Sequence, residues 1–314
     1  MDKKFIITID TEGDNMWRRL YTPNSIKRIT NRNGEHIYKF QELCEKYKLI
    51  PTYLVNYEMS LSKPFVEMSQ PKLKEKRLEI GMHMHAWNCP PIYKLKPGKR
   101  EGDNPYIGEY PEKIIVQKVD YLTKQLEEVF QTEMLSHRSG RWYLNKVYLK
   151  ILKEYGDIVD CSVTTGVDWR KGPGLTKNSK GSNYKQFYGK DYEISLEDLR
   201  REGKSGIYEV PVTTEIKRYH LIKNEVIWLR PNGSNLDKMC NLIKQRAKSN
   251  VDYVEFMLHS SELMAGGSPN FQTKESIQKL YYDLDILFSY ATSIYSGSSL
   301  SDFVIKKYIK SRKK

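Results

Sequence analysis

Short apolar runs alternate with segments of helical period along most of this chain. Residues 5–10, Phe-Ile-Ile-Thr-Ile-Asp, predict a buried strand, being apolar and β-branched and ending in an acid. Residues 35–48 carry Ile37, Phe40, Leu43 and Tyr47 at helical spacing. Residues 50–56 predict a second strand, helical character returns before residue 77, and residues 79–85 predict a third strand. Residues 88–110 hold Cys-Pro-Pro, Pro-Gly and Gly-Asp-Asn-Pro, which makes them a loop. An amphipathic helix is predicted over 111–131, with Pro111 suited to its first turn. Strands follow near 134–138 and 158–163, with a helix over 143–155 between them. Residues 165–206 are rich in Gly, Lys, Asn and Ser and predict a long loop or insertion. Residues 207–212 and 225–229 are strand-like. A helix spans about 235–248, a strand 253–259 and a helix about 273–290. No internal repeat is present.

Strands alternating with helices imply an α/β fold with a parallel sheet covered by helices. About seven such units fit an open or irregular (β/α)7-type barrel better than a doubly wound sheet. One catalytic domain is expected over 1–293, with a basic tail over 294–314 that is Ser-rich and then amphipathic.

Composition narrows the class. With 314 residues and 39% hydrophobic content the chain can bury a sizeable core. The net charge of +13 would attract a polyanion such as nucleic acid, an anionic membrane face or an acidic glycan. No basic helix interleaved with aromatics supports a nucleic-acid partner. The four cysteines, at 44, 89, 161 and 240, form no Cys-x-x-Cys pair and suit a reducing compartment. No run reaches transmembrane length, and the apolar stretch at 5–9 is too short for a secretory signal. The expectation is a cytoplasmic protein, or one held at the inner membrane surface by a partner or its tail.

The candidate chemistry clusters at strand ends. His83 and His85 sit two apart in Gly-Met-His-Met-His, so on a strand both imidazoles share a face and could chelate a metal. Asp10, Glu12 and Asp14 alternate in the same way, provided the first strand stays extended. Carboxylate with imidazole suits one zinc ion or a similar first-row divalent metal. Asp10, His83, His85, Arg138 and His259 all fall at predicted strand C-termini, where barrels of this type keep their chemistry. His259 could serve as general acid, and Arg138 could anchor a carboxylate or hold a base. His137 would face the opposite way and be structural.

In order along residues 5–262, these motifs resemble those of the polysaccharide deacetylases, carbohydrate esterase family four. Thr-Ile-Asp-Thr-Glu-Gly-Asp resembles the first motif, which implies Asp10 as general base. Thr11 stands where the family has a metal-binding Asp, so the resemblance hands that role to Glu12 or Asp14. Gly-Met-His-Met-His resembles the second motif, whose histidines lie four apart; Trp87 occupies the fourth place, and His85 becomes the second ligand. Arg138 with Trp142 is similar to the third motif, implying that Arg138 orients the base and a backbone N–H near Trp142 serves the oxyanion. Val-Asp-Trp at 167–169 resembles the fourth, and Leu-His-Ser-Ser at 258–261 the fifth, with His259 as acid. Trp87, Trp142, Asp168 and Trp169 are then the substrate-lining residues. The resemblance is to a divergent branch associated with bacterial surface-polysaccharide gene sets. It implies that fold and N-deacetylation of an amino sugar; the net charge of +13, with the Lys- and Arg-rich segment at 170–204, adds the expectation that the carbohydrate or its carrier is anionic, such as an acidic glycan or a pyrophosphate-linked lipid intermediate. The alternatives are hydrolysis of a small amide and a non-catalytic glycan-binding relative.

Overall fold

A computed structural model describes residues 2–16, 29–95, 104–219 and 223–309. Part of the expected loop, 96–103, and the basic end of the expected tail, 310–314, lie outside the described residues.

The chain order is β1 (Lys4–Thr11), α1 (Ile37–Lys46), β2 (Pro51–Val55), α2 (Tyr57–Ser60), α3 (Lys63–Lys74), β3 (Glu79–Met84), α4 (Glu112–Phe130), β4 (Ser136–Ser139), α5 (Lys146–Glu154) and β5 (Val159–Asp160). It continues through β6 (Tyr192–Glu193), β7 (Tyr208–Glu209), β8 (Thr214–Tyr219), β9 (Lys223–Trp228), α6 (Leu236–Ala247), β10 (Tyr253–His259), α7 (Lys274–Thr292), β11 (Ser296–Ser298) and α8 (Leu300–Val304). The main sheet has the order β10-β1-β2-β3-β4-β5-β7-β6, curled into a half-barrel. Its neighbours are parallel from β10 through β7, and only β6 is antiparallel to its partner. This is the α/β barrel architecture that the alternating pattern predicts.

Two segments differ from their expectation. The run at 225–229 forms no barrel strand; β9 pairs antiparallel with β8 as a hairpin off the sheet. Its alternation fits a two-stranded ribbon with one covered face as well as a barrel strand, so pattern alone does not separate them. The segment from 294 begins as structure. β11 pairs with the start of β1, and α8 buries Leu300, Phe303 and Val304. Residues 165–206 carry little regular structure, but Tyr184, Tyr192 and Ile194 are buried within them.

Strand alternation sorts the side chains into two layers. Phe5, Ile7 and Ile9 of β1 join the large core shared with α1 and α7. Ile6 faces the other way and packs with Leu54, Cys161, Tyr253, Leu300 and Phe303. The barrel interior is therefore apolar at its floor, where α8 closes it. It becomes polar upward through Thr8 to Asp10. Gly81 on β3 has no room for a side chain, because a Cβ would lie 2.6 Å from the Ser136 carbonyl.

Ending the chain at Tyr295 should cost several kcal/mol, since each fully buried Leu, Phe or Val contributes about 1.5–3 kcal/mol. Chemical denaturation is the check; an unchanged midpoint would show that α8 does not support the barrel floor.

Candidate active site

The site opens at the C-terminal ends of β1, β3, β4 and β10. Parallel pairing sets Asp10 beside His259 and His83 beside Arg138. Because side chains two apart share a face, His83 and His85 both turn inward, with ring centroids 4.6 Å apart. Met82 and Met84, on either side of His83, enter the outer core.

Both histidines converge on one carboxylate. Glu12 Oε2 lies 2.7 Å from His85 Nε2 and 3.4 Å from His83 Nε2. All three residues are buried, and their donor atoms lie within 4.8 Å of one another. His83 Nδ1 lies 2.8 Å from the Arg138 carbonyl. A proton on Nδ1 donates there, which fixes the ring with Nε2 as the nitrogen aimed at Glu12. Two imidazole nitrogens and a carboxylate oxygen form a set that fits zinc or a similar divalent ion. The charges fit as well: the Asp10 and Glu12 carboxylates both face His83, at 4.0 and 3.4 Å. In the protein alone, burial works against the His83 cation, but Asp10 and Glu12 outweigh it and raise the imidazole above its ordinary value. Burial works against the Glu12 anion too, yet bonds from His83 and His85 hold it well below the usual carboxylate range.

Asp14 stands outside this group. β1 ends at Thr11, so the alternation that would align Glu12 with Asp14 stops there. The Asp14 carboxylate accepts from Thr30 Oγ1 at 2.5 Å and pairs with Arg32 at 3.4 Å. Thr11 is buried and spends its hydroxyl on the Ile9 carbonyl. Glu12 is fixed from behind: Asn33 Nδ2 donates to its carbonyl at 2.8 Å, and its own N–H donates to Ser260 Oγ.

Arg138 is fully buried inside the barrel. Nη1 donates to Asp10 Oδ1 at 2.6 Å, Nη2 to Thr8 Oγ1 at 2.8 Å and to Glu255 Oε1, and Nε to the Cys161 carbonyl at 3.0 Å. One guanidinium cannot neutralise two buried carboxylates. Burial opposes the Asp10 anion, but Arg138, His83 and His259 hold it below its ordinary value. Glu255 yields: burial pushes it up to about 7, and its Oε2 is buried without a partner. His259 Nε2 lies 3.5 Å from Asp10 Oδ2, and its Nδ1 lies 3.5 Å from Glu262 Oε2. Glu262 is itself paired with Arg230 at 3.1 Å. His137 points outward, as its place on the strand predicts, between Asp160 and Tyr148.

Aromatic rings wall the mouth. Trp87 meets the His85 ring at 4.4 Å, and Trp142 lies against the Arg138 guanidinium at 5.0 Å. Trp142 and the preceding Arg141 both adopt positive φ, at 59° and 58°, a conformation costly for such residues. Gly140 makes this turn possible, since a Cβ there would lie 2.6 Å from His85 Nδ1. Trp169 stacks on Trp142 at 6.2 Å. Asp168 is engaged elsewhere: its carboxylate holds Arg170 at 2.6 Å and Lys185 at 3.5 Å. Thr8, Asn33, Arg230, Glu255 and Ser260 support the site without any signal in the sequence, apart from the positions of Thr8 and Glu255 on inward faces of predicted strands.

No protein-family model and no curated protein matches the chain. Solved structures do. A Mycobacterium smegmatis protein assigned as a polysaccharide deacetylase superposes with a TM-score of 0.56 at 12% identity, covering 100% of this chain and 92% of that one. The 4-alpha-glucanotransferase of Thermococcus litoralis gives 0.52 at 12% identity, covering 97% of this chain and 38% of that one. The curled barrel is thus a fold shared with carbohydrate-active proteins of more than one chemistry. The activity has to be argued from the site.

The Glu255 carboxyl should leave a mark on pH-dependent stability. Its pKa is raised in the fold, so its contribution is full below the unfolded value of about 4.3 and is lost as pH rises through about 7. Denaturation of Glu255→Gln between pH 4 and about 8 should show a shallower decline than wild type. Identical slopes would mean that Glu255 is ionised beside Arg138.

Proposed function

We propose that this chain is a metal-dependent hydrolase that removes an N-acetyl or similar acyl group from an amino sugar of a surface polysaccharide or its precursor. The observation that carries the reading is the convergence of Glu12, His83 and His85 in a buried group flanked by Asp10 and His259. A base, a metal-donor set and an acid are what amide hydrolysis at neutral pH requires.

In this reading Glu12, His83 and His85 hold one divalent ion, zinc or a similar metal. Such an ion supplies Lewis-acid polarisation of the acyl carbonyl and a lowered pKa for water. Asp10 takes the proton of the attacking water through Oδ2, while Arg138 fixes Oδ1 and keeps the carboxylate ionised. A backbone N–H of the strained turn at Trp142 faces the developing oxyanion. His259 protonates the departing amine. Glu262 Oε2 lies 3.5 Å behind its Nδ1, on the side of the ring away from Asp10. Acetate and a free amino sugar result. Trp87, Trp142 and Trp169 supply flat faces for the sugar ring. The net charge of +13 supports an anionic glycan or a lipid-linked carrier met at the cytoplasmic membrane surface. Among the described residues no helix is long and apolar enough to cross a membrane.

Glu12→Gln should lower zinc content after purification without chelator, read by elemental analysis. Asp10→Asn should keep the metal yet lose turnover by about 100- to 10,000-fold, the usual worth of a general base. Protein that binds no divalent ion, or an Asp10→Asn variant of near-native rate, would sink the reading.

His259→Ala should slow amide substrates sharply and spare esters with good leaving groups, which need no proton. Equal loss on both would make His259 a binding residue.

A further inference from the structure

We propose that the cavity beside Trp228 is a second sugar subsite, taking a neutral, hydroxyl-rich ring that neighbours the acylated unit. This rests on the deacetylase reading above and adds where on the chain, and by what chemistry, a neighbouring unit of the substrate would be held. The cavity, about 300 Å³, lies between the end of β9, the loop that follows it, and Asn270. That volume is at the lower end of small-ligand sites, about 300–1,000 Å³.

Three observations point to a sugar. The first is aromatic. Trp228 is half-buried, and its ring lies 6.0 Å from Trp142 and 6.1 Å from Trp169. Trp142 in turn touches Arg138, so the indoles form a continuous surface from Asp10's anchor to the cavity. A flat apolar face edged by polar groups is the chemistry that holds a pyranose ring. The second is charge. The two cations in the wall each have a carboxylate: Arg230 pairs with Glu262 at 3.1 Å and Lys238 with Glu225 at 2.6 Å. Among the described residues the cavity wall carries no cation without a carboxylate partner, so a neutral ring suits it. The third is continuity. Glu262, bonded to Arg230, accepts the His259 N–H at 2.8 Å and faces its ring at 3.5 Å. The cavity wall is thus linked to the proposed acid through Arg230 and Glu262. A ring bound here would hold its neighbour over Asp10 and convert remote binding energy into orientation.

The test compares N-acetylglucosamine with its linear tetramer, by calorimetric binding and by turnover, on the full-length wild type, Trp228→Ala and Asn270→Trp. Asn270 is exposed, so the tryptophan fills the cavity without disturbing the indole stack; circular dichroism checks the fold of each variant. Wild type should favour the tetramer by about 2- to 10-fold, the order of one stacked ring. Both substitutions should bring that ratio towards one. A folded Asn270→Trp that keeps the full preference overturns the subsite, as does a wild type indifferent to length. A uronic-acid tetramer bound more tightly than the neutral one overturns the choice of a neutral ring. If length-dependent binding is present and lost in Asn270→Trp while no substrate is turned over, the subsite stands and the deacetylase reading falls.

Discussion

A buried arginine organises this barrel. Arg138 reaches across the interior from β4 to Thr8 and Asp10 on β1, to Glu255 on β10 and to the carbonyl after β5. Removing a guanidinium from water costs several kcal/mol, and only a full set of acceptors compensates. The strands must therefore close to the radius at which those acceptors meet one cation. The same requirement sets its partners apart: Asp10 is held below its ordinary range, and burial pushes Glu255 up to about 7. The layer below is apolar and plugged by α8, and the layer above is the site.

That arrangement gives the site its chemical division of labour. Asp10 is held by Arg138, whereas Glu12 is held by its backbone and offers its carboxylate to two histidines. Two acids two residues apart thus have separate environments. Beyond Thr11 the chain leaves the strand, and Glu12 swings onto His83 and His85 instead of lining up with Asp14. The departure of the histidine spacing from the family pattern has a local answer as well. His85 follows the last residue of β3 and still points inward, where Gly140 lets the β4 turn close against its ring.

The mouth is built differently from the floor. It is formed by turns and irregular segments whose contacts cross long sequence distances. Tyr184 donates to the Trp142 carbonyl at 2.5 Å, and Arg141 bridges to Asn104 and Pro173. Two consecutive residues at positive φ persist because these neighbours over-determine the turn. The likeness to a glucanotransferase barrel is consistent with that division. The curled sheet is a reusable scaffold, and chemistry is set by what the strand ends and loops carry.

The sequence by itself determined most strands of the main sheet, the larger covering helices and which of their side chains face inward, because period-2 and period-3.6 patterns report burial directly. Asp10, His83, His85, Arg138 and His259 were legible for that reason: each lies on an inward face at a strand end. The tertiary structure decided what periodicity cannot encode. Whether Glu12 or Asp14 meets the histidines depends on where β1 stops, and the bridge from Asp14 to Thr30 fixes that. Whether β9 enters the sheet or forms a hairpin depends on which edge is open. Whether Asp168 faces substrate or Arg170 depends on a turn with no hydrophobic signature. Glu255 and Arg230 acquire meaning only from partners more than 30 residues away, Arg138 and Glu262. Such pairings arise from the closing of the barrel, and no local pattern carries them.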